Sequence, residues 1–136
     1  MKTASHWAAP LITARYERGA AGPHAFDCWG LVRWVFEHRH GVQMPALPIG
    51  EAEADALPGL LQAARASGFA PVAGALKQDD VLLMRNAEGG RHIGVLITHR
   101  GVLKILHACS GHGVRVQPLD DLRFEGFGKF EPWRRA

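Results

Sequence analysis

"HAFDCWGLVRWVFEHRH", residues 24–40, contains one of only two cysteines in a chain of 136 residues. From Cys28 onward the apolar positions Leu31, Val32, Val35 and Phe36 recur at spacings of three and four, the period of a helix with one buried stripe. Gly41 follows where a left-handed residue ends a helix with least strain. The stretch therefore predicts a helix from residue 28 to about 39, with a thiol in its first turn. Unpaired N–H groups and the positive end of the macrodipole stabilise a thiolate there, so the expected pKa of Cys28 lies below the ordinary value of about 8.5. A small buried hydrophobe is the commoner fate of an intracellular cysteine, so position alone leaves nucleophile and core filler both open.

On the N-terminal side the pattern predicts a short helix over residues 3–15, then an irregular loop, "YERGAAGPHAF". On the C-terminal side, "MPALPIGEAEADALPGLLQAARASGFAPV" has prolines near both ends and a helical middle, read as two pieces around Pro58 and Gly59. Residues 42–75 are thus expected to form a helical cap or insertion bordering a cleft. After it the period changes. "DDVLLMR", "RHIGVLITH", "GVLKILHA" and "GVRVQPL" are short, β-branched and separated by turn residues, which predicts an antiparallel meander of three to five strands. "FGKFEPWRRA" reads as a terminal strand and basic tail. Helices first and strands second is the pattern of an α+β fold.

With 47% hydrophobic and 21% charged residues, positions 1–136 form one globular domain. A chain of this size buries enough surface to fold without a disulfide or a metal. The two cysteines have no CxxC spacing, which argues against structural zinc of the usual kinds. The net charge of +3 and pI of about 9.2 come from scattered basic residues, too diffuse for nucleic-acid binding. Pro10 interrupts the best apolar run of the N-terminus, so no signal peptide is read, and no window has the length of a membrane span.

A thiol becomes a nucleophile when a base stands beside it. His92 and His107 lie in the two strands that flank the short connection at residues 99–101. A two- or four-residue hairpin loop whose paired positions sum to 199 sets His92 directly opposite His107 on one face, with Cβ atoms about 5 Å apart. A three-residue loop would put them on opposite faces unless a bulge restored the parity. Leu103 and Ile105 share the face of His107, and being apolar they predict that the Cys28 helix covers that face. In this arrangement Cys28 attacks, His92 takes and returns the proton, and His107 orients His92. The N–H of Cys28 is placed to help hold an oxyanion.

These residues also carry a resemblance. "FDCWGLVRWVF" resembles the D-C-S-G-L helix start of the NlpC/P60 cysteine peptidases, "DDVLLMRNAEGGRHIGVLI" their Gly-Asp strand and His-Val-Gly-Ile-Tyr segment, and "ILHACSGHGVRV" the strand carrying their third polar residue. The order is the family's, and the likeness runs from about residue 12 to residue 120. It implies a papain-like α+β fold with the Cys helix packed on an antiparallel sheet of about five strands, a catalytic set of Cys28, His92 and His107, and no cofactor. It implies hydrolysis of amide bonds in peptidoglycan stem peptides, beside D-glutamate and a diamino acid. The D-C-W-G-L-V-R form is similar to a subgroup encoded with phage or prophage tail genes. That likeness implies a chain made in the cytoplasm, assembled into a virion tail and partnered by other tail proteins, and the lack of a readable signal peptide agrees with it. A structural tail protein that keeps the fold for binding is the alternative, and an amidase or acyltransferase on a related fold is a third.

The resemblance further places Tyr16, Asp27 and Trp29 at the substrate. Each has a plainer reading: Tyr16 as a core aromatic, Asp27 as an N-cap, and Trp29 as a departure from the family's usual Ser. Cys109, two residues past His107, shares its face and occupies the family's small-residue position, as a buried filler or as a partner for a Cys28 disulfide. His107, Cys109 and His112 carry metal-ligand side chains, but their spacing is irregular and no metal is expected.

Overall fold

A computed structural model describes residues 6–46, 57–86, 91–124 and 126–135 of the chain. Its first long helix, α1, spans Cys28–His40, and both ends are made by side chains suited to the position. Asp27 is the N-cap and accepts a hydrogen bond from the Gly30 N–H at 2.6 Å. Gly41 closes the helix in the left-handed conformation, φ 67°. Ahead of α1 the expected helix is reduced to a 3-10 turn at Ala9–Thr13, and residues 3–5 lie outside the described residues. Pro10 withholds a donor from this turn, and by Ala14 the backbone is extended, ψ 145°, because the chain is about to pair as a strand. Strands β1 (Arg15–Tyr16) and β2 (Ala25–Phe26) lie parallel, Tyr16 beside Phe26, and lead straight into the Cys28 turn.

Within the segment expected to be a helical cap, residues 57–66 are helical. Helix α2, Leu57–Ala66, is one continuous piece, with Pro58 in its first turn, where a missing N–H breaks no helical bond. Residues 47–56 lie outside the described residues. Strand β3, Phe69–Pro71, then joins the sheet, which contains β4 (Val81–Asn86), β5 (Arg91–His99), β6 (Val102–Cys109), β7 (Gly113–Pro118) and β8 (Phe127–Arg135). A short helix α3, Asp121–Phe124, precedes β8. The order is β3-β8-β4-β5-β6-β7, antiparallel throughout, so the sheet has six strands rather than about five. The meander β4–β7 was legible as such. The expected basic tail is part of β8, where Arg134 grips the buried Asp80 through two bonds of 2.6 and 2.8 Å.

Helix α1 covers one face of this sheet. Leu31, Val32 and Val35 pack there with Ile93, Val95, Ile97 and Leu106 in the main core, all at most 1% exposed. The other face carries Leu82, Met84, Leu96 and Ile105, closed over by Leu122. Leu103 and Ile105 therefore face away from α1, against expectation. An apolar strand face shows only that something covers it, and here the loops and α3 region do so. Among the described residues no helix is long and apolar enough to cross a membrane.

Candidate active site

The helix start is held by backbone that leaves no room for a side chain. A Cβ at Gly30 would run into the Ala20 carbonyl oxygen of the preceding loop. That loop is tied down by Asp27, whose second oxygen accepts from the Gly19 N–H at 2.9 Å. Asp27 thus serves both as cap and as clamp, and burial raises its pKa against the lowering effect of those two N–H groups and of Arg33. Trp29 is 2% exposed and donates its indole N–H to the Pro45 carbonyl at 2.8 Å, fixing the chain that leaves α1. Tyr16 is half-buried against the main core, in register with a residue two before Cys28.

The β5–β6 hairpin turns through Arg100 and Gly101, both at positive φ (53° and 78°), as a two-residue loop that matches strand twist. Its register pairs Val95 with Leu106 and ends there. Continued, it would set Gly94, not His92, across from His107, so the directly opposed histidine pair does not form. The slip is two residues and keeps the parity, so both imidazoles remain on one face. They meet diagonally over Gly94, where a Cβ would lie 3.0 Å from the Cβ of His107 and 2.6 Å from the Ile105 Cδ1. His92 Nε2 stands 2.8 Å from His107 Nδ1, and His107 Nε2 stands 2.7 Å from Gln117 Oε1.

This chain has a direction. Gln117 Oε1 accepts, so His107 carries its proton on Nε2 and presents a bare Nδ1. His92 then donates from Nε2, which leaves its own Nδ1 with the lone pair needed by a base. Phe127 stacks on His92 at 5.2 Å between ring centroids and 20° between planes, which restricts rotation of the ring. Gln117, 5% exposed, was not singled out in the sequence, since one Gln in a strand has no motif; its two-residue spacing from the interior positions of β7 was the only available signal.

Cys28 reaches β5 from the other side. Beyond Val95 the β5–β6 ladder is open, and Cys28 packs in the same buried core as Ile93, the residue next to His92. The expected lowering of the thiol pKa is reversed. Burial, then the charge of Asp27, push it up to about 12, outweighing the N–H groups of Ile93, Trp29 and Cys28 itself. Burial and the neighbouring His107 likewise bring His92 down to about 3. At neutral pH the thiol and the imidazole are both uncharged, so the proton must leave sulfur as the sulfur attacks. Cys109 lies on the histidine side, half-buried, its Sγ 3.3 Å from His107 Nδ1, and neither cysteine is in a disulfide. The side chains placed to share a metal among the described residues are His92, His107 and Cys109, without His112.

The sequence profile of the NlpC/P60 family matches residues 13–125, a span that includes Tyr16, Asp27, Cys28, Trp29, His92, His107, Cys109 and Gln117. The chain belongs to the NlpC/P60 family. Members of that family are cysteine peptidases. Among curated proteins, this NlpC/P60 domain is similar to the murein DD-endopeptidase MepS/murein LD-carboxypeptidase of Escherichia coli (strain K12), 24% identical over 107 residues, which are 79% of this chain. The chain spans 48% of the length of that relative. Among solved structures, NlpC2 from Trichomonas vaginalis superposes with a TM-score of 0.60 at 21% identity, over 92% of this chain and 42% of that one. The NlpC/p60 domain of the peptidoglycan hydrolase SagA superposes with 0.52 at 22% identity, over 89% of this chain and 87% of that one. At these identities the structural likeness establishes the fold, the α+β architecture expected from the sequence.

Proposed function

We propose that this NlpC/P60 domain is a cysteine peptidase that hydrolyses an amide bond in peptidoglycan stem peptides, beside D-glutamate and a diamino acid. The observation that carries the reading is the His92–His107–Gln117 chain on β5, β6 and β7, which leaves His92 Nδ1 as a base, in a fold that seats Cys28 at the start of the helix packed on the same sheet. The Cys28 sulfur attacks the amide carbonyl while its proton passes to His92 Nδ1, the negative charge collecting on the carbonyl oxygen. The N–H groups at the start of α1 are the donors available to that oxygen. His92 then returns the proton to the departing amine, and water, deprotonated by His92, releases the acyl group from sulfur. His107 acts by orienting His92 and stabilising its charged form. The E. coli relative is a murein endopeptidase and carboxypeptidase and SagA is a peptidoglycan hydrolase, which supports this substrate class.

Tyr16 is assigned to the wall of the cleft. Trp29 influences the substrate through the chain it pins at Pro45, and Asp27 does so by fixing the turn that carries Cys28. The D-C-W-G-L-V-R sequence further supports placement in a phage or prophage tail, where local opening of the wall is the task. The second reading, a non-enzymatic tail protein on the same fold, shares that placement. Incubation of wild type and Cys28→Ala with purified peptidoglycan and its stem peptides, with products identified by mass spectrometry, separates the two. Cleavage by wild type alone supports the peptidase; no cleavage by folded wild type with a reduced thiol rejects it in favour of the structural role.

A further inference from the structure

The catalytic roles above leave Cys109 unused, yet it stands with the two histidines. Its Sγ is 3.3 Å from His107 Nδ1, and one ligand atom from each of Cys109, His107 and His92 falls within 4.8 Å of the others. We propose that His92, His107 and Cys109 form a binding site for a thiophilic divalent cation, zinc above all, and that its occupancy switches the hydrolase off. The switching half rests on the catalytic reading above; the binding half does not.

One thiolate and two imidazoles suit zinc and its borderline-soft neighbours, whereas magnesium and calcium require oxygen donors. Tetrahedral zinc, with bonds of about 2.0–2.1 Å to nitrogen and 2.3 Å to sulfur, needs its nitrogen donors roughly 3.3 Å apart and nitrogen and sulfur roughly 3.6 Å apart. The 2.8 Å between His92 Nε2 and His107 Nδ1 must therefore open by about half an ångström, and the Cys109 sulfur, which lies beside the His107 ring at 3.3 Å from Nδ1 and 3.7 Å from Nε2, must swing about its χ1 toward the Nδ1 lone pair. The outer support is already in place. Gln117 Oε1, 2.7 Å from His107 Nε2, keeps the proton on that nitrogen and so turns the Nδ1 lone pair to the ion. The half-buried sulfur gives the ion a route inward, since His107 itself is fully buried.

Protons balance as follows. Cys109 gives its thiol proton to solvent. His92 exchanges its Nε2 proton for the metal and becomes protonated on Nδ1, remaining neutral overall. One proton is released per ion, and the fourth position is left for water. With Nδ1 protonated, His92 has no lone pair for the Cys28 proton, so attack cannot begin. Loss of the ion restores the base.

Cobalt(II) is the probe, added to the full metal-free chain kept reduced without added thiol. Wild type and Cys28→Ala are both expected to bind one ion per chain, with a thiolate-to-cobalt charge-transfer band and the visible bands of a tetrahedral site. Cys109→Ser, checked for unchanged melting, is expected to lose the charge-transfer band and bind at least about tenfold more weakly. No saturable band in wild type, or a band that survives in Cys109→Ser and vanishes in Cys28→Ala, overturns the site. Zinc is then added to the stem-peptide assay. It is expected to inhibit wild type reversibly, with EDTA restoring activity, and to need at least about tenfold higher concentration against Cys109→Ser. Binding without inhibition overturns the switch. No turnover by metal-free wild type rejects the peptidase reading and the switch with it, while the cobalt spectra still decide the site.

Discussion

Along β5, Ile93, Val95 and Ile97 pack toward α1, whereas His92, Gly94 and Leu96 lie on the opposite face. The first face is an ordinary apolar core. The second begins apolar, with Leu96 and Ile105, and becomes a polar chain at its upper end, where His92, His107 and Gln117 are joined and Cys109 stands beside them. The two cysteines are divided between these regions, Cys28 on the helix side and Cys109 on the histidine side. One strand with a two-residue period can therefore serve as support for a nucleophile and as carrier of its base. The two regions share β5, whose ladder with β6 ends at Val95.

Breaking the polar side is expected to have the largest effect. His92→Ala should lower kcat/KM for stem peptide by about 10²–10⁴-fold in protein that calorimetry shows to be folded, as steady-state kinetics would show. Gln117→Leu removes the acceptor that sets the tautomers, and a loss of about tenfold to a hundredfold in kcat with KM nearly constant is expected. Nitrogen NMR of the imidazoles checks the cause: the Nε2-protonated form of His107 should dominate in wild type and become mixed in the variant. A purely packing role for Gln117 would leave the tautomers unmoved.

Breaking the apolar side should act through stability. Leu31 and Leu96 are both fully buried, one on each face, and each Leu→Ala change should cost about 2–5 kcal/mol in chemical denaturation. Only Leu31→Ala should also disturb Cys28, because Leu31 shares its helix turn; faster alkylation of Cys28 would report this. The last effects come from pH. Burial and His107 hold His92 at about 3, below the roughly 6.5 of an unfolded chain, so protons favour the unfolded state across that interval. Its contribution to stability is complete above about pH 6.5 and falls as pH is lowered toward 3, and the acid limb of kcat/KM should likewise lie below the ordinary imidazole range. Asp80 adds in the same direction at lower pH: burial alone would raise its pKa, but the Arg134 guanidinium and the Lys77 N–H bring it below the usual carboxylate value. Its contribution is present above the unfolded carboxylate value and is lost as pH falls through the folded one, which acid melts of wild type and Arg134→Met would resolve.

What could be read from the sequence follows from how local each signal is. The Cys28 helix, its cap and its stop are each encoded within a few residues, and they appear where expected. The shared face of His92 and His107 was legible because parity survives a two-residue slip. The slip itself was not, since alternation is identical in both registers. The side on which α1 lies, the return of β8 between β3 and β4, and the recruitment of residues 69–71 into the sheet are long-range choices with no local mark. The thiol pKa failed for the same reason: the helix start argues for lowering, while the burial that raises it belongs to the assembled core. Gln117 needed a partner in space before it had any meaning.

The central claim is that Cys28, not Cys109, becomes acylated by the substrate. Intact-protein mass spectrometry of rapidly quenched reactions with an activated stem-peptide ester, followed by peptide mapping, tests it directly. The account predicts one acyl adduct per chain, on Cys28, formed by wild type and Cys109→Ser and absent from Cys28→Ala. An adduct on Cys109, or turnover that persists in Cys28→Ala, would contradict it.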